Sequence, residues 1–438
     1  MAANIRLRLG LSRAALIGAI SLSSLSMIAP MAASASPQGT FLPSGQYVTP
    51  NLVPNAIFQA LNPGIQALPS FVAGGAVSTA LSPDGKTLAV LTCGYNSVDI
   101  PGSTISNEYI FIYNVSAGVP AQQQVITLAN TFVGITFSTD GSTLYVGGGQ
   151  DDSIHTFKIK AGQWTEFKKP IKLGNKPANA LFKGDLPPMV GGLALTQDGT
   201  ILVVANYSND SVAFIDTASR SVMSKLDLRP GIIDPAQSGV PGGEYPFWIS
   251  IKGNNTAYIS CARDREIDVV NFTAPLAPTL TTRIKVAGTP LKSVLDSQQA
   301  YLYVAEDNSD LVDIISTSTN TLFQSVVASG PATPTFANAL KYKGSAPVAP
   351  ALSPDGKTLY VTLGGANAVS VIQGIPAHPF VAGLIPTGYQ PDAVTISTDG
   401  TWAYVTDAKG VTGPNPGETY FNRQPNNYVY QLQKIVFA

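Results

Sequence analysis

Charge is scarce in this chain of 438 residues: 12% are charged, against roughly 25% in an ordinary soluble domain. Twenty-six Lys and Arg face 27 Asp and Glu, a net charge of −1. No polybasic run exists, which excludes nucleic acid as a partner and any purely electrostatic attachment. Histidine and cysteine are nearly absent, with only His155, His378, Cys93 and Cys261. A zinc site built on His and Cys, or bis-histidine haem ligation, would consume almost all of them, so no metal or other cofactor is expected. A Ser-His-Asp triad would have two possible bases and no G-x-S-x-G elbow. Phosphate-loop spacing is missing too, and Gly147-Gly148-Gly149 lacks the context for it. The two cysteines lie 168 residues apart in different repeat units. A bridge needs Cα atoms within about 7 Å, so two buried thiols are expected instead.

Beyond the first segment no long apolar run appears, so no membrane span is expected in the mature chain. Residues 1–35 read as a signal peptide: Arg6, Arg8 and Arg13 form a positive start, Leu16 to Ile28 an apolar stretch, and Ala33-Ser34-Ala35 a small-x-small cleavage site. Its removal leaves 23 basic against 27 acidic residues, a net charge of −4. A periplasmic or secreted location is expected.

Glycine (40) and proline (33) are plentiful, a punctuation that suits many short strands joined by tight turns. One pattern returns seven times: LSPDGKTLAV (81–90), FSTDGSTLYV (137–146), LTQDGTILVV (195–204), IKGNNTAYIS (251–260), LDSQQAYLYV (295–304), LSPDGKTLYV (352–361) and ISTDGTWAYV (396–405). Aligned on Asp84, Asp140, Asp198, Asn254, Gln298, Asp355 and Asp399, the intervals are 56, 58, 56, 44, 57 and 44 residues. Asp-Gly between two alternating apolar runs is a strong hairpin signal, because glycine tolerates positive φ. Further strands follow each hairpin, such as SVAFIDT (211–217) and SVMSKLDL (221–228). Strand repeats of this period predict a propeller. The expectation is an all-β, seven-bladed β-propeller of four-stranded antiparallel blades.

Tyr360–Leu363 and Tyr404–Asp407 carry YVT followed by a leucine or an acid, and Val203-Val204-Ala205-Asn206 is a variant. On these residues the chain resembles the YVTN-repeat β-propellers, exported seven-bladed proteins of bacteria and archaea, over about residues 70–434. At the ends it resembles the N-terminal propeller of bacterial fusions whose second half is a metal-dependent domain of the alkaline phosphatase superfamily. Phe41 to Gln46, Phe58 to Gly64 and Lys409 to Pro416 carry that likeness. The chain stops at Ala438, so that phosphatase domain is expected to be absent from it, with a downstream phosphatase domain as a possible partner.

The expected organisation is a signal peptide (1–35), an N-terminal arm with a closing strand (36–69), the propeller (70–434) and a short tail (435–438). Gln46 to Thr49 is expected to supply the last blade's outer strand, beside a strand at 427–434. Insertions at 94–107, 174–190, 229–246 and 329–348, and the loop 408–426, should all lie on the face opposite the Asp-Gly turns, here called the top. Long loops in compact domains tend to be functional.

Candidate ligand or partner residues on that face are Glu244, Tyr245, Phe247, Trp248, Arg263, Asp264, Glu306 and Asp307. Tyr and Trp there could stack on a ligand, with Trp248 as inter-blade core the competing reading. Asp151 and Asp152 are weak candidates for Ca²⁺ through carboxylate oxygens. The function expected is a non-catalytic exported propeller binding a protein partner or small ligand. The alternatives are a lactonase-like hydrolase using Arg263, Glu244 and Glu306, and a structural surface-layer-type protein.

Overall fold

The computed structural model describes residues 40–41, 47–48, 56–94, 96–100, 103–177, 186–330, 343–410 and 434–437. The chain divides into two compact units, Met1–Ser36 and Pro37–Ala438. The signal-peptide segment and most of the inserted loops at 174–190, 329–348 and 408–426 lie outside the described residues. Among the described residues no helix is long and apolar enough to cross a membrane.

The repeat unit folds as its hairpin pattern requires. In the first unit Gly85 takes φ 69°, and its N–H donates to the Ser82 carbonyl. The Ser82 hydroxyl donates to Asp84 Oδ1 at 2.5 Å while accepting the Thr87 N–H at 2.9 Å. The same net recurs at Ser138–Asp140, Thr196–Asp198, Ser353–Asp355 and Ser397–Asp399. These hydroxyl bonds hold the turn carboxyls below their ordinary range, to about 2 at Asp140 and Asp399. The fifth unit solves the turn differently: Asp296 stands at the serine position and accepts the Ala300 and Tyr301 N–H groups.

The units build an all-β propeller of antiparallel sheets, numbered here in chain order. The first comprises Ala76–Leu81, Thr87–Thr92, Glu108–Asn114 and Ala121–Leu128. The third runs Val190–Leu195, Ile201–Asn206, Ser211–Asp216 and Ser221–Asp227; the fourth Pro246–Lys252, Thr256–Cys261, Glu266–Asn271 and Thr279–Lys285. The fifth is Pro290–Leu295, Tyr301–Glu306, Leu311–Ser316 and Thr321–Val327; the sixth Pro347–Leu352, Thr358–Leu363, Ala368–Gln373 and Phe380–Pro386. The seventh pairs Pro391–Ile396, Ala403–Asp407, Lys434–Phe437 and Ile57–Ala60.

The second sheet departs from this form. Its strands Ile135–Phe137, Thr143–Gly147, Ser153–Lys160 and Gln163–Glu166 are joined by a fifth, Ile171–Lys172, which pairs with the start of Ser153–Lys160. The expectation of seven four-stranded blades is therefore corrected to six. The physical reason is the short Lys160–Gln163 turn, which leaves the upper half of the long third strand unpaired until Ile171 returns to it.

The seventh sheet brings two further corrections. Its outer strand is Ile57–Ala60, not Gln46 to Thr49; Tyr47–Val48 instead pairs with Thr40–Phe41. Lys434–Phe437, expected to fall mostly in a tail, is its third strand. The insertion at 94–107 forms a hairpin of Ser97–Ile100 with Ser103–Ser106, and that at 229–246 carries a short helix, Pro230–Ile233.

The core is divided among the sheet-to-sheet contacts, since each sheet is apolar on both faces. Leu91 and Ile110 meet Phe137 and Leu144 between the first and second sheets, and Phe214 meets Phe272 between the third and fourth. Tyr404 of the seventh sheet packs with Leu88, Val90 and Phe111 of the first, and its hydroxyl donates to the Gly118 carbonyl at 3.0 Å. Both cysteines are free; Cys261 is buried and Cys93 only half-buried.

Candidate functional site

Most acids expected at the top rim prove to be structural. In four units an Asp or Asn takes a left-handed conformation just before the third strand: Asp152, Asp210, Asp310 and Asn367, with φ from 49° to 59°. Each side chain accepts backbone N–H groups from the segment leading out to the next sheet. Asp152 takes Asn175, Asp210 takes Tyr245, and Asn367 takes Gln390. Asp310 takes Gly344, Ser345 and Ala346 together. These contacts latch one sheet to its successor, satisfying donors that would otherwise be orphaned where the chain crosses.

Asp151 and Asp152 are thereby spoken for: Asp151 accepts from Asn130 and Asp152 from both nitrogens of Asn175. Among the described residues no group of three His, Cys, Asp or Glu side chains could hold a metal ion. Glu306 is fully buried, not displayed at the rim. It accepts the Gly288 N–H and the Ser309 hydroxyl, both at 2.7 Å, and shares a proton with the buried Asp313, which with burial raises its pKa to about 8. Asp307 is half-buried, with its pKa raised by burial. His155, expected on a blade surface, is buried with Nδ1 2.7 Å from Glu166 Oε1.

What remains open is the approach to the fourth sheet. Gly243 takes φ 74°, and a Cβ there would lie 2.3 Å from the Leu228 carbonyl, so the chain passes only as glycine. Its N–H donates to Glu266 Oε1 at 2.7 Å. Glu244 donates its N–H to Asp264 Oδ2 at 2.8 Å, and its own carboxylate meets Arg263 Nη1 at 2.7 Å. Burial raises the Glu244 pKa, against the pull of Arg263.

Tyr245 follows with φ 56°, an uncommon conformation for a bulky residue, pinned by Asp210 on its N–H and by Ala262 on its carbonyl. Its ring stacks on Tyr207 at 4.9 Å and 15°, with the Arg263 guanidinium 5.8 Å from its centroid. Phe132 and Phe247 complete the group, edge-on to each other at 5.8 Å and to Tyr207 at 5.5 and 6.3 Å. All four rings are half-buried. The chain thus places four aromatics from three sheets beside a partly exposed Arg–Glu pair.

Of the sequence candidates, Glu244, Tyr245, Phe247, Arg263 and Asp264 come together here, while Glu306 and Asp307 do not join them. Trp248 points elsewhere, donating Nε1 to the Ser293 carbonyl of the fifth sheet at 3.1 Å. Phe132 and Tyr207 were not among the candidates. Their only sequence signal is position, each close to the end of a repeat strand where the top-face crossings begin.

No family model and no curated protein matches the sequence. Solved structures do match in fold. A Bacteroides fragilis structure titled a "putative 6-phosphogluconolactonase" aligns with TM-score 0.53 and 18% identity, over 74% of this chain and 88% of that one. A Bacteroides uniformis structure with the same title gives 0.52 and 16%, over 73% and 89%. Kuenenia stuttgartiensis hydrazine synthase gives 0.54 and 16%, over 78% and 96%. At such identities the likeness concerns architecture, which hosts unrelated activities. The expectation of a chain without enzymatic activity is overturned all the same, because structures named for a hydrolase share this fold.

Proposed function

We propose that the chain is an exported seven-bladed β-propeller of the YVTN-repeat kind that binds a small ring-bearing ligand, or a partner presenting one, on its top face. The five-stranded second sheet is then the seventh blade. The packing of Tyr404 against the first sheet supports a closed ring. One observation carries the binding reading: Phe132, Tyr207, Tyr245 and Phe247 converge, half-exposed, beside the Arg263–Glu244 pair. Aromatic faces supply contact area with little entropy to lose, and the ion pair supplies polar groups to orient a ligand.

A lactonase-like hydrolase is the second reading, favoured by the names of the two Bacteroides structures and by the contact of one acid with one arginine. Here Glu244, its pKa raised by burial, would serve as the base and Arg263 would stabilise the developing oxyanion.

Calorimetric titration with glucono-1,5-lactone and gluconate, together with pH-stat hydrolysis, tests both. Binding that weakens tenfold or more in Phe247→Ala supports the shelf; unchanged binding removes it. Hydrolysis above the spontaneous rate that disappears in Glu244→Gln supports the second reading.

A further inference from the structure

The innermost strands carry a group that neither reading uses. Lys292, third residue of Pro290–Leu295 in the fifth sheet, is only 5% exposed. Its ammonium reaches the opposite side of the central channel. There it donates to the Val77 carbonyl, to Ser78 Oγ at 3.1 Å and to the Asp392 carbonyl at 3.1 Å. All three acceptors are neutral oxygens. Among the described residues no carboxylate lies within 4.0 Å of this nitrogen. The indole of Trp248 stands beneath it, 5.3 Å from the ammonium to the ring centroid. Three hydrogen bonds satisfy the donors, but a desolvated charge without a counter-charge remains costly.

This ammonium borders a cavity of about 350 Å³. The cavity runs from Ser78 and Lys292 toward the turn-side ends of the strands at Leu352 and Ile396. Its walls are otherwise apolar or hydroxylic: Val294 and Pro350 are lining groups, and Thr79 and Thr395 hydrogen-bond to each other at 2.7 Å. Trp248, Thr79, Val294 and Ile396 are all partly exposed, so solvent reaches it. Burial pulls the Lys292 pKa down to about 8, which leaves the ammonium protonated at neutral pH.

We propose that this cavity binds a small organic monocarboxylate, its head on the Lys292 ammonium and its apolar body against Trp248, Val294 and Ile396. A single cation among the lining residues matches one negative charge. A phosphate dianion would need a second cation, which the lining does not have. The volume falls in the range of small-molecule sites, which are mostly apolar with a few placed polar groups. The incoming carboxylate replaces a neutral acceptor of Lys292 with a charged one, and charge-assisted bonds are roughly twice as strong.

Benzoate and its neutral isostere benzamide are the probes, titrated calorimetrically into the purified chain at neutral pH. Saturable benzoate binding is expected, with benzamide at least tenfold weaker. Lys292→Met, which keeps the length and loses the charge, is expected to weaken benzoate at least tenfold and leave benzamide unchanged. Benzoate should also quench tryptophan emission in the wild type and not in Trp248→Phe. Equal affinity for the two probes overturns the proposal, as does absence of benzoate binding up to about 10 mM, where affinity falls to a few kcal/mol at most. So does full benzoate affinity in a folded Lys292→Met protein. Should that variant not fold, the comparison of the two probes on the wild type decides.

Discussion

Replacing Glu108 with glutamine should make this protein's stability less sensitive to pH. Glu108 opens the third strand of the first sheet and is 5% exposed. Its Oε2 accepts from Thr92 Oγ1 at 2.9 Å and from Asn96 Nδ2 at 2.7 Å. Burial outweighs those two bonds and pushes its pKa from 4.5 up to about 7. The folded chain therefore holds this proton more tightly than the unfolded chain. The stabilisation is complete below pH 4.5 and is lost as pH rises through about 7. At about 1.4 kcal/mol per pKa unit the whole effect is roughly 3 kcal/mol, of which about 2.5 kcal/mol falls between pH 5 and pH 8. Glutamine keeps an oxygen for Thr92 and Asn96 and cannot ionise. Urea unfolding followed by circular dichroism at pH 5 and pH 8 measures the loss in each protein. Other buried acids, including Glu306 and Asp392, contribute equally to both and cancel in the comparison. The variant should lose about 2.5 kcal/mol less than the wild type over this interval. Equal losses would refute the reasoning.

Two further outcomes bear on how the sheets are joined. Asp310→Ala strips an acceptor from the Gly344, Ser345 and Ala346 N–H groups and should cost about 2–3 kcal/mol in urea unfolding; a cost below about 0.5 kcal/mol, the range of an ordinary surface substitution, would show that the latch is not holding the crossing. Deleting residues 36–60 removes the outer strand Ile57–Ala60, and a calorimetric scan should show a lower Tm; an unchanged midpoint would mean that the strand adds nothing to the seventh sheet.

The hairpins were legible because a rigid local rule produces them. Ser or Thr, then Asp-Gly, then an alternating run satisfies its own turn within six residues, and the pattern survives even where Asn254 or Gln298 replaces the acid. Strand pairing across distance was not legible. Gln46 to Thr49 and Ile57–Ala60 read alike as short alternating segments, and only the competition for one sheet edge separates them. The fifth strand Ile171–Lys172 is too short to carry a period at all.

At the site the aromatic approach Tyr245–Phe247 could be read from its place before an inner strand, and Arg263 and Glu244 from their position at strand ends. The acids misled for a physical reason. Asp152 and Asp310 look like solvated loop carboxylates in a sequence, whereas a left-handed backbone turns them back onto N–H groups of the next crossing. Lys292 was invisible because PLKSVL (290–295) alternates like every other repeat strand. The pattern states which side of the strand a residue occupies. It does not state that the side in question faces a channel rather than bulk water.

The pairing of Ile57–Ala60 with Lys434–Phe437 joins positions about 380 residues apart in the chain. Such a pair is formed at nearly the largest loop-closure entropy the chain can incur, and contacts of that span are slow to form. On a chain made from its N-terminus, the early segment must therefore wait, unpaired, until synthesis is almost finished. During that wait Ile57 and Phe58 and the edge of Ala403–Asp407 are unpaired strand surfaces open to other chains. The last hydrogen bonds to form in the propeller are thus also those on which its freedom from aggregation depends.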